Sequence, residues 1–472
     1  MRLRRAILPA VLAVTALGTG TAAGLQERAA RTEADPVGGP TVVTPVLSAR
    51  RLPTVVAAPV ADRRLRADLA EWAASAPSPS CATVVDPDGA IVLAHEPAAV
   101  LIPASTTKLL TAAAALHVLG PEHRFRTVVR GAAPVDGVVA GDLHLVGGGD
   151  PVLATDAYAD RFPRQPQLRT DIAALADAVV AAGVRRVEGS VVGDETRYDA
   201  QRYVPGWPDR YLDQNVVGPL SALSVNDSFS RYPGDGGDVL EPAEDPATHA
   251  AAVLTLLLAE RGVEVAGPPR AAPSPDLPAL GALESAPLPE VLDQLLRESD
   301  NMVAELLVKE LGRTVGDPTT AGGAAVVVSA LAELGLDPEG LVVADGSGLS
   351  TDNRLTCRHL TDVLGHPEVG EDLQGGLAVA GESGTLVDAF GGTSLEGVLA
   401  AKTGSLNAVA GLAGTVADDD GALTFAYVAN DPDGRIDEGP VRAAQAALGQ
   451  ILLAWPQVPD VEALGPEDPR PR

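Results

Sequence analysis

Lysine is nearly absent from this chain: of its 35 basic residues only Lys108, Lys309 and Lys402 are lysines, and the rest are arginines. Arginine keeps its proton at any working pH, whereas a buried amine can lose it, so a retained lysine is what base chemistry requires. The seven histidines and two cysteines form no paired-histidine or cysteine-rich pattern, which excludes the usual metal centres, and no cofactor is expected. Cys81 and Cys357 are left with two open readings, a disulfide or two buried free thiols. Positive charge is also scarce overall, with a formal net charge of -28. That balance argues against nucleic acid as a partner and against adsorption to anionic lipid. Beyond the N-terminus no run is long and apolar enough to cross a bilayer, and no internal repeat is visible.

Residues 1–24 have a basic start, an apolar middle and a small-residue end, the pattern of a secretory signal peptide. An uncleaved N-terminal anchor, a membrane tether, is the alternative, and in either case the working part is extracytoplasmic. Residues 25–60 read as a flexible linker and 457–472 as a loose, proline-rich acidic tail. The stretch between them exceeds one ordinary domain and can bury a large core.

Within it, residues 101–119 read LIPASTTKLLTAAAALHVL. Pro103 opens a helix rich in Ala and Leu that runs unbroken to Gly120. Ser105 and Lys108 are i and i+3, so their side chains share a face and can meet. A lysine whose surroundings lower its pKa can take the serine proton, and the N–H groups of a helix's first turn suit a developing oxyanion. A helix over 61–74 and a hairpin of 81–85 and 90–95 precede this stretch. Short strands at 127–129, 143–146 and 187–192, with a helix at 171–182, read as an inserted α+β region. Helices follow at 289–296 and 301–311, and between them sits Ser299-Asp300-Asn301, which could also be plain helix capping. Another helix is expected at 319–334, and 342–350 reads as a strand running into a glycine turn. Strands at 398–402, 408–416 and 423–429 and a helix at 439–454 close the chain. Lys402-Thr403-Gly404-Ser405 leaves the first of these strands, where a bulge with an exposed lysine is the bland alternative. Lys309 is expected as a solvated partner of Glu305 at i+4.

Ser-x-x-Lys, Ser-Asp-Asn and Lys-Thr-Gly in this order are the motif set of penicillin-binding proteins and related β-lactamases. With LVGGGDPVL (145–153), GPLSALSVND (218–227), DGSGLS (345–350) and SGTL (383–386), the chain resembles the D-alanyl-D-alanine carboxypeptidase/endopeptidase family, the class C low-molecular-mass penicillin-binding proteins. The resemblance implies an α+β fold: a transpeptidase-like domain of 61–121 and 275–456, an antiparallel sheet flanked by helices, with smaller α+β domains inserted at 122–274. It implies hydrolysis of peptidoglycan stem peptides through an acyl-serine and acylation by β-lactams. Ser105 would be the nucleophile, Lys108 its base, and Ser299 a proton relay helped by Lys402, with Asn301 holding the peptide and contacting Lys108. The substrate-binding set would be Thr403, Gly404 and Ser405, with the oxyanion between the N–H groups of Ser105 and Ser405. Asp150 would hold the amine of the stem-peptide side chain; a turn aspartate is its other reading. Thr351 stands where relatives often carry arginine after DGSGLS, which leaves side-chain preference open. A β-lactamase or esterase of the same superfamily, and a non-catalytic wall-binding or sensing module, are the competing readings. No class A type glutamate loop is visible for the first, and the intact nucleophile and lysines weigh against the second.

Overall fold

The computed structural model describes residues 53–233, 239–418, 421–431 and 433–456. The expected signal segment, most of the linker and the tail lie outside them. Among the described residues, those from 58 onward form one compact unit.

Its centre is a six-stranded antiparallel sheet in the order Ala378–Val379, Leu399–Leu406, Val409–Asp418, Gly421–Asn430, Ser80–Val85 and Ile91–His95. The last three long strands form a meander, and the chain's first hairpin adds to its free edge, Ser80 pairing with Ala429 and Val85 with Thr424. Side chains alternate between two cores, as a period of two requires. From Gly421–Asn430, Leu423, Phe425, Tyr427 and Ala429 enter one core, and Ala426 and Val428 the other. The first core is closed by two terminal helices, Pro53–Ser75 and Glu438–Leu453. Leu65, Leu69 and Trp72 meet Val441, Leu448 and Leu452 there, and the Trp72 indole donates to the Ala444 carbonyl at 2.9 Å. Each large side chain so buried contributes on the order of 1.5–3 kcal/mol. The first helix begins at Pro53 and carries Pro59 inside it, earlier than its apolar spacing suggested.

On the other face lies the helix Thr107–Leu119, and Ala112, Ala113, Ala114 and Ala115 are all fully buried. A helix apolar all round is a core helix, and its alanines let neighbours approach closely. Leu288–Glu298, Asn301–Thr314, Thr320–Glu333 and Cys357–Leu364 pack around it. The disulfide Cys81–Cys357 ties the sheet to the last of these helices and decides between the two cysteine readings. Residues 342–350 are not a strand: only an isolated bridge, Val342 to Arg354, forms. The donors that a ladder would use are taken by side chains, the Asn353 amide oxygen accepting from Ala344 N and the Asp345 carboxylate from Gly348 N and Ser350 N.

The inserted region builds a five-stranded mixed sheet and a three-stranded parallel one, both feeding a single hydrophobic cluster with the helices Ala173–Ala181 and Pro246–Glu260. The strand expected over 187–192 is two, Arg186–Val187 and Val191–Asp194, one in each sheet. Gly189 is the break: its N–H goes to Gly141 O while Ser190 N is held by the Asp142 carboxylate.

Candidate active site

Ser105 lies in the 3-10 turn Ala104–Thr106, which leads into the buried helix. The turn is tight: Ala104 has φ 50°, a left-handed value unfavourable for a residue with a Cβ. Two hydroxyls hold it, Thr106 donating to Pro103 O at 2.8 Å and Thr107 to Ala104 O at 2.9 Å. Ser105 is half-buried between buried neighbours, so its side chain alone in the turn is open. Gly348, the second glycine of the DGSGLS segment, has φ +83° and packs against this elbow. A Cβ there would stand 1.9 Å from Ala104 O.

Lys108 is fully buried, and its Nζ has three partners: Ser105 Oγ at 3.0 Å, Asn301 Oδ1 at 2.8 Å and Ser347 O at 2.7 Å. Two of these oxygens can only accept. A neutral amine therefore spends its two N–H groups on Asn301 and Ser347 and turns its lone pair to the Ser105 hydroxyl. Asn301 is oriented for this by its Nδ2, which donates to Val216 O at 2.8 Å. Burial lowers the Lys108 amine to about 8, against the pull of Asp345, Glu305 and Asp300.

Ser299 caps the helix Leu288–Glu298 in a left-handed conformation, φ 61° and ψ 40°. Asp300 caps the next helix, its carboxylate accepting from Val303 N at 3.1 Å. The capping reading of this triplet is thus correct for Asp300, and the same turn sets Ser299 and Asn301 on one wall of a cavity of about 240 Å³.

Lys402, Thr403, Gly404 and Ser405 lie within the strand Leu399–Leu406, not in a bulge after it. Lys402 is fully buried and donates to Thr403 O at 2.9 Å. Burial holds it well below its ordinary value, and the charge of Lys108 adds to this. Thr403 Oγ1 donates to Thr385 Oγ1 at 2.9 Å, which brings the SGTL segment to the strand. Gly404 pairs with Gly411, and both face the serine turn. A Cβ on Gly404 would lie 2.7 Å from Pro103 O, so glycine lets the strand lie against the nucleophile's turn.

One expectation needs revising. Lys309 is not a solvated partner of Glu305: it is buried and bonded to Asp199 of the inserted region. Glu305 instead faces the DGSGLS segment, its Oε1 accepting from Gly346 N at 3.1 Å and Ser347 N at 2.8 Å. It so orients the peptide whose carbonyl holds Lys108, and burial beside Asp345 pushes its carboxyl up to about 8. Nothing in its spacing marked Glu305, because its partners are backbone groups. Asp150 is buried, with Oδ1 accepting from Val152 N at 3.0 Å, Oδ2 lacking a partner and the carboxyl pushed up to about 6 by burial. It does not line the cavity beside Ser299. Thr351 is exposed. Among the described residues no group of three or more His, Cys, Asp or Glu is arranged to hold a metal ion.

A family profile, the D-Ala-D-Ala carboxypeptidase 3 (S13) family, matches residues 65–237 and 233–452. The chain is 32% identical over 412 residues to a D-alanyl-D-alanine carboxypeptidase of an Actinomadura species, covering 71% of this chain and 74% of that one. It is 32% identical over 473 residues to Carboxypeptidase DacB of Mycolicibacterium smegmatis, covering 95% and 94%. Among solved structures, penicillin binding protein 4 of Haemophilus influenzae superposes with a TM-score of 0.67 at 20% identity, over 81% of this chain and 99% of that one. Its complex with a β-lactam gives 0.63 at 19% identity, with the same coverage.

Proposed function

The chain belongs to the D-Ala-D-Ala carboxypeptidase 3 (S13) family and is a serine-type D-Ala-D-Ala carboxypeptidase, and we propose that Ser105 and Lys108 carry its chemistry on peptidoglycan stem peptides. The observation that carries this reading is the contact of the buried Lys108 Nζ with Ser105 Oγ at 3.0 Å, beside two partners that can only accept. Ser105 Oγ attacks the carbonyl carbon of the D-Ala-D-Ala bond while its proton passes to Lys108 Nζ. The C–O bond of the acyl-enzyme forms, the C–N bond breaks, and the leaving nitrogen takes the proton that Lys108 received, passed through Ser299 with Lys402 assisting, which leaves Lys108 neutral again. Water then attacks the ester, one of its protons passes to Lys108 Nζ, and that proton returns to Ser105 Oγ as the ester C–O bond breaks.

The oxyanion is received by the N–H groups of Ser105 and Ser405, each such donor being worth about 3 kcal/mol. The substrate's terminal carboxylate meets the hydroxyls of Thr403 and Ser405, beside Lys402 and Gly404. Asp150 is kept as the candidate for the side-chain amine of the stem peptide. Its buried, unpartnered oxygen supports this. Endopeptidase action needs no other machinery: the leaving nitrogen then belongs to a neighbouring stem peptide. A β-lactam enters by the same attack, but its leaving nitrogen stays tethered and blocks water.

The disulfide supports an oxidising, extracytoplasmic workplace, and residues 1–24 would deliver the enzyme there, either cleaved or kept as a membrane tether. The test is release of D-alanine from a synthetic pentapeptide ending in D-Ala-D-Ala, with Ser105→Ala as control. Release lost in the variant is expected; release that persists in it removes Ser105 from the reaction.

A further inference from the structure

The two oxygens that orient Lys108 are themselves held from the inserted region, and by one short stretch of it. Asn301 is turned by Val216 O, which accepts from its Nδ2 at 2.8 Å. Ser347 O belongs to the DGSGLS turn, and that turn is gathered on the fully buried carboxylate of Asp345. Asp345 Oδ1 accepts from Gly348 N at 2.9 Å and from the Asn353 amide at 2.6 Å. Its Oδ2 accepts from Ser350 N at 2.6 Å and from the Trp207 indole N–H at 2.8 Å. Gly348, Ser350 and Asn353 are local to the turn, but Trp207 is separated from it by 138 positions in sequence and comes from the inserted region.

Packing follows the same route. Trp207 and Val217 share a buried cluster with Met302, the neighbour of Asn301, and with Leu349, the neighbour of Gly348. The stretch 207–217 is thereby seated against both segments that hold Lys108. Val216 and Val217 line the cavity beside Ser299, whereas Trp207 does not, so its indole acts on the turn and not on a ligand there.

Charge gives the same contact a second effect. The carboxyls of Asp345, Glu305 and Asp300 all raise the Lys108 amine, Asp345 the most of the three, and the Lys402 amine faces it from the strand. The donors aimed at Asp345 offset part of the charge that reaches Lys108. The indole is one of these donors, and a phenyl ring in its place supplies none.

We propose that Asp345 is a positioning residue for the base and that Trp207 is the inserted region's hold on it. The indole N–H fixes the carboxylate, and through it both the Ser347 carbonyl and the charge that Lys108 meets. The assignment rests on Lys108 being the base that activates Ser105.

The experiment uses the full chain and a chromogenic β-lactam at several concentrations, from about pH 6 to 11, so that non-covalent binding separates from the first-order acylation step. The midpoint of that step is read within each protein, which keeps a lower amount of folded enzyme from mimicking the effect. Trp207→Phe keeps a ring in the cluster and removes the N–H. Binding should stay as in wild type, the plateau of the first-order step should fall about tenfold as the Ser347 carbonyl loosens, and the midpoint should rise by about half a unit. Asp345→Asn removes the charge, so its midpoint should move the other way, down by about 1–3 units. Val204→Ala loosens the same cluster while leaving the indole bond in place, and its midpoint should be that of wild type. A Trp207→Phe midpoint equal to wild type, a rise matched in Val204→Ala, or an Asp345→Asn midpoint above wild type each overturns the proposal. Should Asp345→Asn not fold, the other two variants decide. A wild type whose acylation does not titrate overturns Lys108 as base and this inference with it; a wild type that titrates, with midpoints unmoved in the variants, overturns this inference alone.

Discussion

If Lys108 takes the serine proton, acylation must follow the fraction of Lys108 that is neutral. Its midpoint is about 8. The neutral fraction is then about one-tenth at pH 7 and about nine-tenths at pH 9, so acylation should rise about tenfold between them. The direction is fixed by the role: the base is active after losing its proton, so the rate grows with pH. Asn301→Asp puts a carboxylate where Oδ1 now sits, 2.8 Å from Nζ. An opposite charge that close raises an amine by about 1–3 units, which moves the midpoint to about 9–11 and lowers the neutral fraction at pH 7 by about 10- to 1,000-fold. Glu305→Gln acts the other way. It removes an acid whose charge raises Lys108, so the midpoint should fall. The assay is the second-order rate of acylation by a chromogenic β-lactam across pH 6 to 11, read for the midpoint and not the height. Opposite shifts in the two variants are expected. A flat profile, or midpoints that coincide in wild type and Asn301→Asp, refutes the assignment of Lys108 as base.

Three other consequences concern the frame. Opening the Cys81–Cys357 bridge with Cys81→Ser and Cys357→Ser together removes a cross-link over a sequence separation of 276; chain entropy alone puts the loss at about 5.6 kcal/mol, seen as a lower denaturant midpoint, and an unchanged midpoint contradicts it. Gly404→Ala places a Cβ 2.7 Å from Pro103 O, so acylation should fall by about a hundredfold with little change in the melting temperature, and a variant that acylates normally shows that the strand has room to move. Asp199→Asn leaves the buried Lys309 charge without its counter-ion and should cost about 3–5 kcal/mol in a chemical denaturation curve. An equally stable variant would mean that the pair contributes nothing to the fold.

The parts of the site that carry chemistry on side chains at short spacing were legible in the sequence. Ser105 and Lys108 need only a helix to meet, and the capping residues around 299–301 announce the helix start that sets Asn301. The outer sheet and its terminal helices were also readable, because alternation over 423–429 and helical spacing over 439–454 are local signals. What was hidden depends on contacts distant in sequence. Glu305 acts on backbone N–H groups of Gly346 and Ser347, for which no residue pattern exists. Residues 342–350 looked extended because they are apolar and then glycine-rich, yet Asp345 and Asn353 take their hydrogen bonds. Lys309 and Glu305 have the spacing of a surface pair, but both point inward, to partners on other segments.

The central claim is that the half-buried serine of the 3-10 turn is the group acylated. The most direct measurement is to treat the purified protein with penicillin, digest it and locate the added mass by peptide sequencing in the mass spectrometer, with Ser105→Ala run alongside. A single adduct on Ser105, absent from the variant, is the result predicted. An adduct on another residue, or one that persists after Ser105→Ala, contradicts the account.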